Sequence, residues 1–241
     1  MKDKNYKVLA TNPVQYDSDE LHWDTETIES PIRQFFSSYL KKNLGDLSNK
    51  KVIDIGSGTG YLTKLYEELG TRDIFGLEPS KSNVRMSRTL NPDMKVIQSP
   101  LEDFNSENNF DVAVSVMVFG HIADPQAAFR KIFNLLQSDG SLFLIITDKA
   151  HSITPRFGYE IEIQTLDNGE IASMTKRSQG VMYDVLRPIE NYIRYATNVG
   201  FKFTEEIPLI PTEELKEKDP RYMQFQDVPI GHLMVFKKYL R

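Results

Sequence analysis

The chain of 241 residues has no cysteine. Disulfides, thiolate metal sites and cysteine nucleophiles are excluded, while the redox compartment stays open, because a cysteine-free chain is safe anywhere. Concentrated positive charge is also missing. Lys and Arg total 29 against 34 Asp and Glu, the formal net charge is −5, and the basic residues are scattered. A nonspecific grip on nucleic acid or anionic lipid needs a basic footprint, so neither partner is expected. No apolar run reaches membrane-spanning length, and the polar start "MKDKNYKVLA" carries no signal-peptide core. A cytoplasmic protein is the default. There is a single tryptophan, no internal repeat and no low-complexity segment.

What is present is an ordinary globular composition, 40% hydrophobic and 26% charged, in a chain long enough to bury a substantial core. Between about residues 50 and 148, apolar strands alternate with helical patterns. Strands are expected at 51–55, 73–78, 94–98, 110–118 and 141–147. Helices are expected at 61–69, at 80–90 behind an N-cap serine, and at 124–136, where Asp124 precedes Pro125 and "SDG" ends the helix. Continuous apolar strands joined by helices predict a doubly wound, mainly parallel α/β sheet. At the start, residues 31–44 place Ile32, Phe35, Phe36, Tyr39 and Leu40 on one helical stripe. Later, residues 159–177 alternate with period two around Asn168-Gly169. A two-residue type I′ turn there pairs Thr165 with Ala172 and Ile163 with Met174, an antiparallel hairpin beside the core. Residues 187–201 read as a helix, the segments at 201–210 and 232–240 as a closing strand pair, and 211–229 as a surface loop.

Lys51 to Leu62, "KVIDIGSGTGYL", runs a short strand into three glycines. Glycine this dense costs backbone entropy, so the chain needs something to approach closely. The turn after the first strand lies at the carboxyl edge of the sheet, where open α/β folds bind ligands. A P-loop needs lysine after its last glycine, but Tyr61 follows Gly60. A dinucleotide loop needs glycine at position 61, so the third glycine comes one residue early.

With Asp54 ahead of Gly56, Gly58 and Gly60, "VIDIGSGTG" resembles the first motif of the class I S-adenosylmethionine-dependent methyltransferases of small-molecule type. Later segments follow in that family's order. Glu78 in "GLEPS" lies 18 residues beyond Gly60, "QSPLEDF" (98–104) resembles the adenine-side segment, and "FDVAVSVMVFGHIADP" resembles the stretch around the fourth strand. "LLQSDGSLFLII" departs from the usual turn before the fifth strand, with Ser138-Asp139 where Pro-Gly is common. The resemblance implies a Rossmann-like seven-stranded sheet with an antiparallel last strand, an N-terminal helical cap and an inserted β-hairpin. The whole chain, 1–241, would form one methyltransferase domain: a cap at 1–48, a cofactor core at 49–150, a hairpin insertion at 151–186 and a closing segment at 187–241.

The resemblance also implies the ligand contacts. S-adenosylmethionine, leaving as S-adenosylhomocysteine, would lie on Gly56, Ser57, Gly58 and Gly60, with Asp54 orienting the loop. Glu78 and Pro79 would receive the ribose, Ser99, Pro100, Leu101 and Glu102 the adenine, and Ser115 and Val116 the methionine part. The N-terminal segment could bring Tyr16 or Trp23 to the sulfonium. Methyl transfer is an in-line displacement in which alignment can contribute roughly 7–11 kcal/mol. A hydroxyl acceptor gains from a general base, for which His121 and His151 are candidates; a packing role is the plainer reading of His121. Arg156, Tyr159, Tyr183 and Arg187 are candidates for the acceptor, with Arg156 suited to a carboxylate or phosphate. No metal is expected. The expected partner is a small-molecule acceptor, methylated at oxygen, on a monomer or homodimer. Alternatives are N-methylation of a small amine, a noncatalytic binding module, and, disfavoured by the glycine spacing, a nicotinamide oxidoreductase.

Overall fold

The computed structural model describes residues 5–17, 30–106, 110–178 and 180–239. Trp23 lies outside the described residues. The strands of the main sheet are β1 (Lys51–Ile55), β2 (Asp73–Glu78), β3 (Lys95–Gln98), β4 (Phe110–Val116), β5 (Leu136–Thr147), β9 (Phe201–Leu209) and β10 (Gly231–Lys238). They lie in the order β3-β2-β1-β4-β5-β10-β9. Strands β1 to β5 pair in parallel, while β10 runs antiparallel to both β5 and β9. The order reverses direction between β1 and β4. That reversal opens a crevice at the carboxyl ends of the strands, the usual ligand position in such sheets.

Both faces are covered. One packs on helices α2 (Pro31–Leu44), α3 (Thr63–Glu68), α4 (Lys81–Leu90) and α8 (Glu213–Lys218), through Phe36, Leu40, Tyr66, Val84 and Leu215. The other packs on α5 (Pro125–Leu135) and α7 (Ile189–Asn198), where Phe129 meets Phe119, Phe201 and Phe236 with centroids 4.8–6.3 Å apart. The expected caps form. Ser80 accepts from Asn83 N at 3.1 Å, and Asp124 accepts from Ala127 N at 3.0 Å. No helix among the described residues is long and apolar enough to cross a membrane.

Several local expectations are corrected. Helix α5 ends at Leu135 and β5 begins at Leu136, so 138–140 falls within a strand whose pairing is irregular there. The hairpin is part of a separate three-stranded antiparallel sheet, β6 (Glu160–Thr165), β7 (Ile171–Arg177) and β8 (Gly180–Leu186). Its turn is one residue longer than a type I′ turn. Leu166 N donates to Glu170 O and Gly169 N to Leu166 O, both at 2.9 Å, enclosing Asp167, Asn168 and a Gly169 with φ +77°. Glycine at the left-handed end of a three-residue loop is its usual place. The register therefore pairs Thr165 with Ile171 and Ile163 with Ser173. Three short helices add to the expected set: α1 (Tyr6–Ala10), packed on the outer face of this small sheet, α6 (Lys149–Ile153), after β5, and α8, within the segment read as a loop.

The small sheet is fastened to the core by one buried side chain. Arg187 Nη1 donates to Phe119 O at 2.8 Å and Nη2 to Ile122 O at 3.0 Å, while Nε lies 3.2 Å from Glu170. Arg187 was expected to face the acceptor. Its guanidinium is instead spent joining the end of β8 and the β6–β7 turn to the segment after β4.

Candidate functional site

The glycine loop leaves β1 and is tied to β2 by main-chain bonds from Gly56 N and Ser57 N to Leu77 O, at 2.7 and 3.1 Å. Gly58 adopts φ +55°, and nothing lies within 4 Å of where its Cβ would stand. Its N–H donates to Glu78 Oε2 at 2.9 Å, and Glu78 Oε1 accepts from Ser80 N at 2.9 Å. Burial raises the Glu78 carboxyl above its ordinary value, opposed by those bonds. Asn83 Nδ2 also donates to Oε1 at 3.4 Å, so Oε2 is the oxygen that keeps a lone pair for a hydroxyl donor.

This loop forms one wall of a cavity of about 440 Å³, a size typical of small-molecule sites. Of the residues singled out from sequence, Tyr16, Gly56, Ser57, Gly58, Glu78, Pro79, Ser99, Pro100, Leu101, Glu102, Val116, His121, His151, Arg156 and Tyr159 line it. Gly60, Asp54, Ser115, Tyr183 and Arg187 do not. Asp54 is buried beside Tyr66; burial pushes its carboxyl up to about 7 against the pull of the Tyr66 hydroxyl. Ser115 donates to Ile55 O at 3.2 Å, stitching β4 to β1. Strand alternation turns Tyr183 outward onto α1, with its ring 5.7 Å from that of Tyr6, and turns its neighbours Met182 and Asp184 inward.

The N-terminal segment closes the cavity opposite the loop. Tyr16 Oη lies 2.7 Å from His121 Nε2, and Gln15 Nε2 donates to His121 Nδ1 at 3.1 Å and to Ala10 O at 2.7 Å. The amide can only donate there, so Nδ1 accepts and Nε2 carries the proton toward Tyr16. That tautomer leaves His121 no free lone pair for base catalysis. Burial raises the Tyr16 hydroxyl, with nearby Asp184 adding to it. Asp17 holds the segment in place. Its carboxylate accepts from Ser80 Oγ and from Ser82 N and Oγ at 2.7–3.0 Å, and from Lys81 N at 3.0 Å. Burial opposes its charge, but these bonds bring it down to about 2.

Asp184 was not anticipated. It faces the cavity from β8, and burial raises its carboxyl against the charge of Arg187. The signal was an acid inside the apolar run "VMYDVL". Other cavity residues not anticipated include Gln15, Arg33 on α2, Thr175 and Arg177 on β7, Met182 on β8, and Arg221 and Tyr222 from the C-terminal segment. Arg33 stacks over Tyr61, 4.9 Å from its ring centre.

His151 was a candidate base, and its environment removes that role. Arg156 Nη1 lies 2.9 Å from His151 Nε2, and a guanidinium only donates. The imidazole is thus neutral with its proton on Nδ1, and burial plus the Arg156 charge hold its pKa down at about 3. Arg156 Nη2 also donates to His151 O at 2.7 Å, and its guanidinium stacks 5.0 Å from the Tyr159 ring centre. Tyr159 Oη accepts from Arg221 Nη1 at 3.0 Å. No group of three or more metal-ligating side chains occurs among the described residues.

A crevice at the reversal of this strand order, with a glycine loop on one side and an acid ending β2 on the other, defines a class I methyltransferase fold. The chain belongs to the family described as a methyltransferase domain, whose model matches residues 25–205. Among curated relatives, ubiquinone biosynthesis O-methyltransferase of Aliivibrio fischeri (strain ATCC 700601 / ES114) is 27% identical over 130 residues, 50% of this chain and 55% of that protein. The chain thus spans about half the length of the curated relatives it matches. An S-adenosylmethionine-dependent methyltransferase from Mesorhizobium loti superposes with a TM-score of 0.66 at 18% identity, covering 83% of this chain and 96% of that one. The 1,6-didemethyltoxoflavin-N1-methyltransferase of Burkholderia thailandensis, solved with S-adenosylhomocysteine, gives 0.57 at 15% identity, covering 90% and 82%. These two likenesses show the fold. The residues present fit the cofactor of this class: Gly58 is open to the cavity, Glu78 can accept from a ribose hydroxyl, and Leu101 offers an apolar face.

Proposed function

We propose that the chain acts as one domain that methylates a small molecule at a hydroxyl oxygen, using S-adenosylmethionine. When bound, the cofactor supplies an electrophilic methyl group on a sulfonium. Gly56 to Gly58, Glu78, Pro79 and Leu101 would hold it. The observation that carries the acceptor half of the reading is Asp184, a carboxylate facing the cavity beside the Tyr16–His121 pair.

Asp184 is the group available to receive a proton. Both ring nitrogens of His121 are engaged, and the accepting nitrogen of His151 is taken by Arg156. In this reading Asp184 accepts a hydrogen bond from the acceptor hydroxyl and takes its proton as the new carbon–oxygen bond forms. Its raised pKa brings it nearer the range where a base works well at neutral pH. Gln15, His121 and Tyr16 hold the roof above it and exclude water. The net charge of −5 suits a metabolite better than a polyanion. The O-methyltransferase names of the curated relatives point the same way at low identity.

The test is release of S-adenosylhomocysteine with a panel of small hydroxylated and amino acceptors, alongside calorimetry with S-adenosylhomocysteine. Asp184→Asn should lower turnover on a hydroxyl acceptor by about 100- to 10,000-fold, the usual worth of a general base, with S-adenosylhomocysteine affinity within about twofold. Turnover confined to amines, or Asp184→Asn at wild-type rate, overturns the reading.

A further inference from the structure

Charges of both signs line the cavity. Asp184 pairs with Ser173 across β7 and β8, four residues along β7 from Arg177. Arg156 and Arg221 meet at Tyr159, the first stacked on its ring and the second donating to its hydroxyl. Burial lowers the Arg156 pKa; Tyr159 and Tyr222 pull it back, and the charges of Arg177 and Arg221 add to the lowering. Arg221 has its own counter-charge. It forms two hydrogen bonds with Asp219, from Nε at 2.8 Å and Nη2 at 2.6 Å. Arg156 has none: among the described residues no carboxylate lies within 4 Å of it, and its hydrogen bonds go to His151 and Ser152.

Two further donors in this corner have no acceptor. The Arg156 Nε and the His151 Nδ1 are both buried without a hydrogen-bond partner, and the tautomer argued above puts a proton on Nδ1. His151 is only 7% exposed and is sandwiched by Tyr222 and Phe225. Buried donors left unpaired are costly, and such features persist where a ligand offsets them. The corner thus concentrates cation and N–H dipoles inside an apolar frame, and the carboxylate of Asp219 there is taken by Arg221.

We propose that this corner binds an anionic group of the acceptor, a carboxylate or a phosphate, away from Asp184. The acceptor class is then a small molecule carrying a hydroxyl at one end and an anion at the other. Arg156 supplies the charge, Arg177 reinforces it from β7, and Tyr159 and Tyr222 frame it. The inference rests on the proposed methyl-transfer reading for which end reacts, but the anion site stands on its own observations.

The test uses thermal shift and calorimetry on the full chain, with and without saturating S-adenosylhomocysteine. The probes are inorganic phosphate against sodium chloride of equal ionic strength, and 3,4-dihydroxybenzoate against the neutral 3,4-dihydroxybenzyl alcohol. Phosphate or the carboxylate should raise the melting temperature where its neutral or chloride control does not. Arg156→Met should weaken that binding about tenfold, equivalent to 1.4 kcal/mol, and leave S-adenosylhomocysteine affinity within about twofold. Arg177→Met is the second variant, because loss of the Arg156 bonds to His151 O risks misfolding; it should weaken anion binding as well. Equal binding of charged and neutral probes, or anion binding unchanged in both variants, overturns the proposal. An equal loss of S-adenosylhomocysteine affinity in Arg156→Met also overturns it, since the corner would then serve the donor. Absence of S-adenosylhomocysteine binding to the wild type counts against the methyl-transfer reading alone, because phosphate is also titrated without it.

Discussion

Substituting Gly58 by valine separates the ligand-facing purpose of the glycine loop from its purpose in folding. On the folding side, a side chain at φ +55° costs about 1–2 kcal/mol in left-handed strain. No clash at Cβ adds to this, because nothing lies within 4 Å of its position. The Gly58 N–H bond to Glu78 survives, since valine keeps its amide proton. A domain with about 5–15 kcal/mol of stability remains folded after such a loss. On the binding side, the three carbons stand in the space the cofactor must occupy, and a loss of at least about 100-fold, near 2.7 kcal/mol, is expected. Gly56→Val is the contrast. Its Cβ would collide with Val118 Cγ2, so that variant should lose both stability and binding. Urea unfolding and calorimetric titration with S-adenosylhomocysteine read the two effects apart. If Gly58→Val binds S-adenosylhomocysteine like the wild type, the loop is not the cofactor cradle. If it unfolds, the open face assigned to Gly58 is wrong.

Other expectations concern the frame. His232 lies between Glu206 Oε1 at 2.6 Å and Asp148 Oδ2 at 3.0 Å; burial lowers its pKa, but the two carboxylates outweigh it and raise the value. A histidine raised in the folded state stabilises fully below its unfolded pKa of about 6.5 and loses that contribution as pH rises through the folded value. Chemical denaturation from pH 6 to 9 should show this decline in the wild type and lack it in His232→Asn, whose stability at the acid end should drop by about 1.5–3 kcal/mol; parallel curves would refute the assignment. Arg187→Met strands Glu170 and two carbonyls, and should cost about 3–5 kcal/mol by urea unfolding. A loss below about 1 kcal/mol would show that the fastening is incidental.

The core was legible because its signals are local. Apolar strands, the caps at Ser80 and Asp124, and the spacing of Gly56, Gly58 and Glu78 each act within a few residues or along one strand. The small sheet was less so. A loop one residue longer than expected shifted the pairing of β6 and β7, and β8, which carries Asp184 and turns Tyr183 away, follows "SQG" rather than an Asn-Gly or Asp-Gly turn. Arg187 and Arg156 look alike in sequence, both following a strand. Only tertiary contacts make one a buried fastening and leave the other at the cavity wall. The two histidines were identified by position, whereas their chemistry depends on Gln15, Tyr16 and Arg156, partners up to 106 residues away.

The fastening at Arg187 also bears on how such an enzyme changes over generations. Its anchors are main-chain carbonyls of Phe119 and Ile122, which survive almost any change of side chain. The inward positions of the small sheet, Ser173, Thr175, Arg177, Met182 and Asp184, hang from that joint and do not help build the glycine loop. Mutation there can remodel what the cavity accepts while the methyl-donor half keeps its shape. Arg187 thus partitions the molecule into an inherited half and an adaptable one.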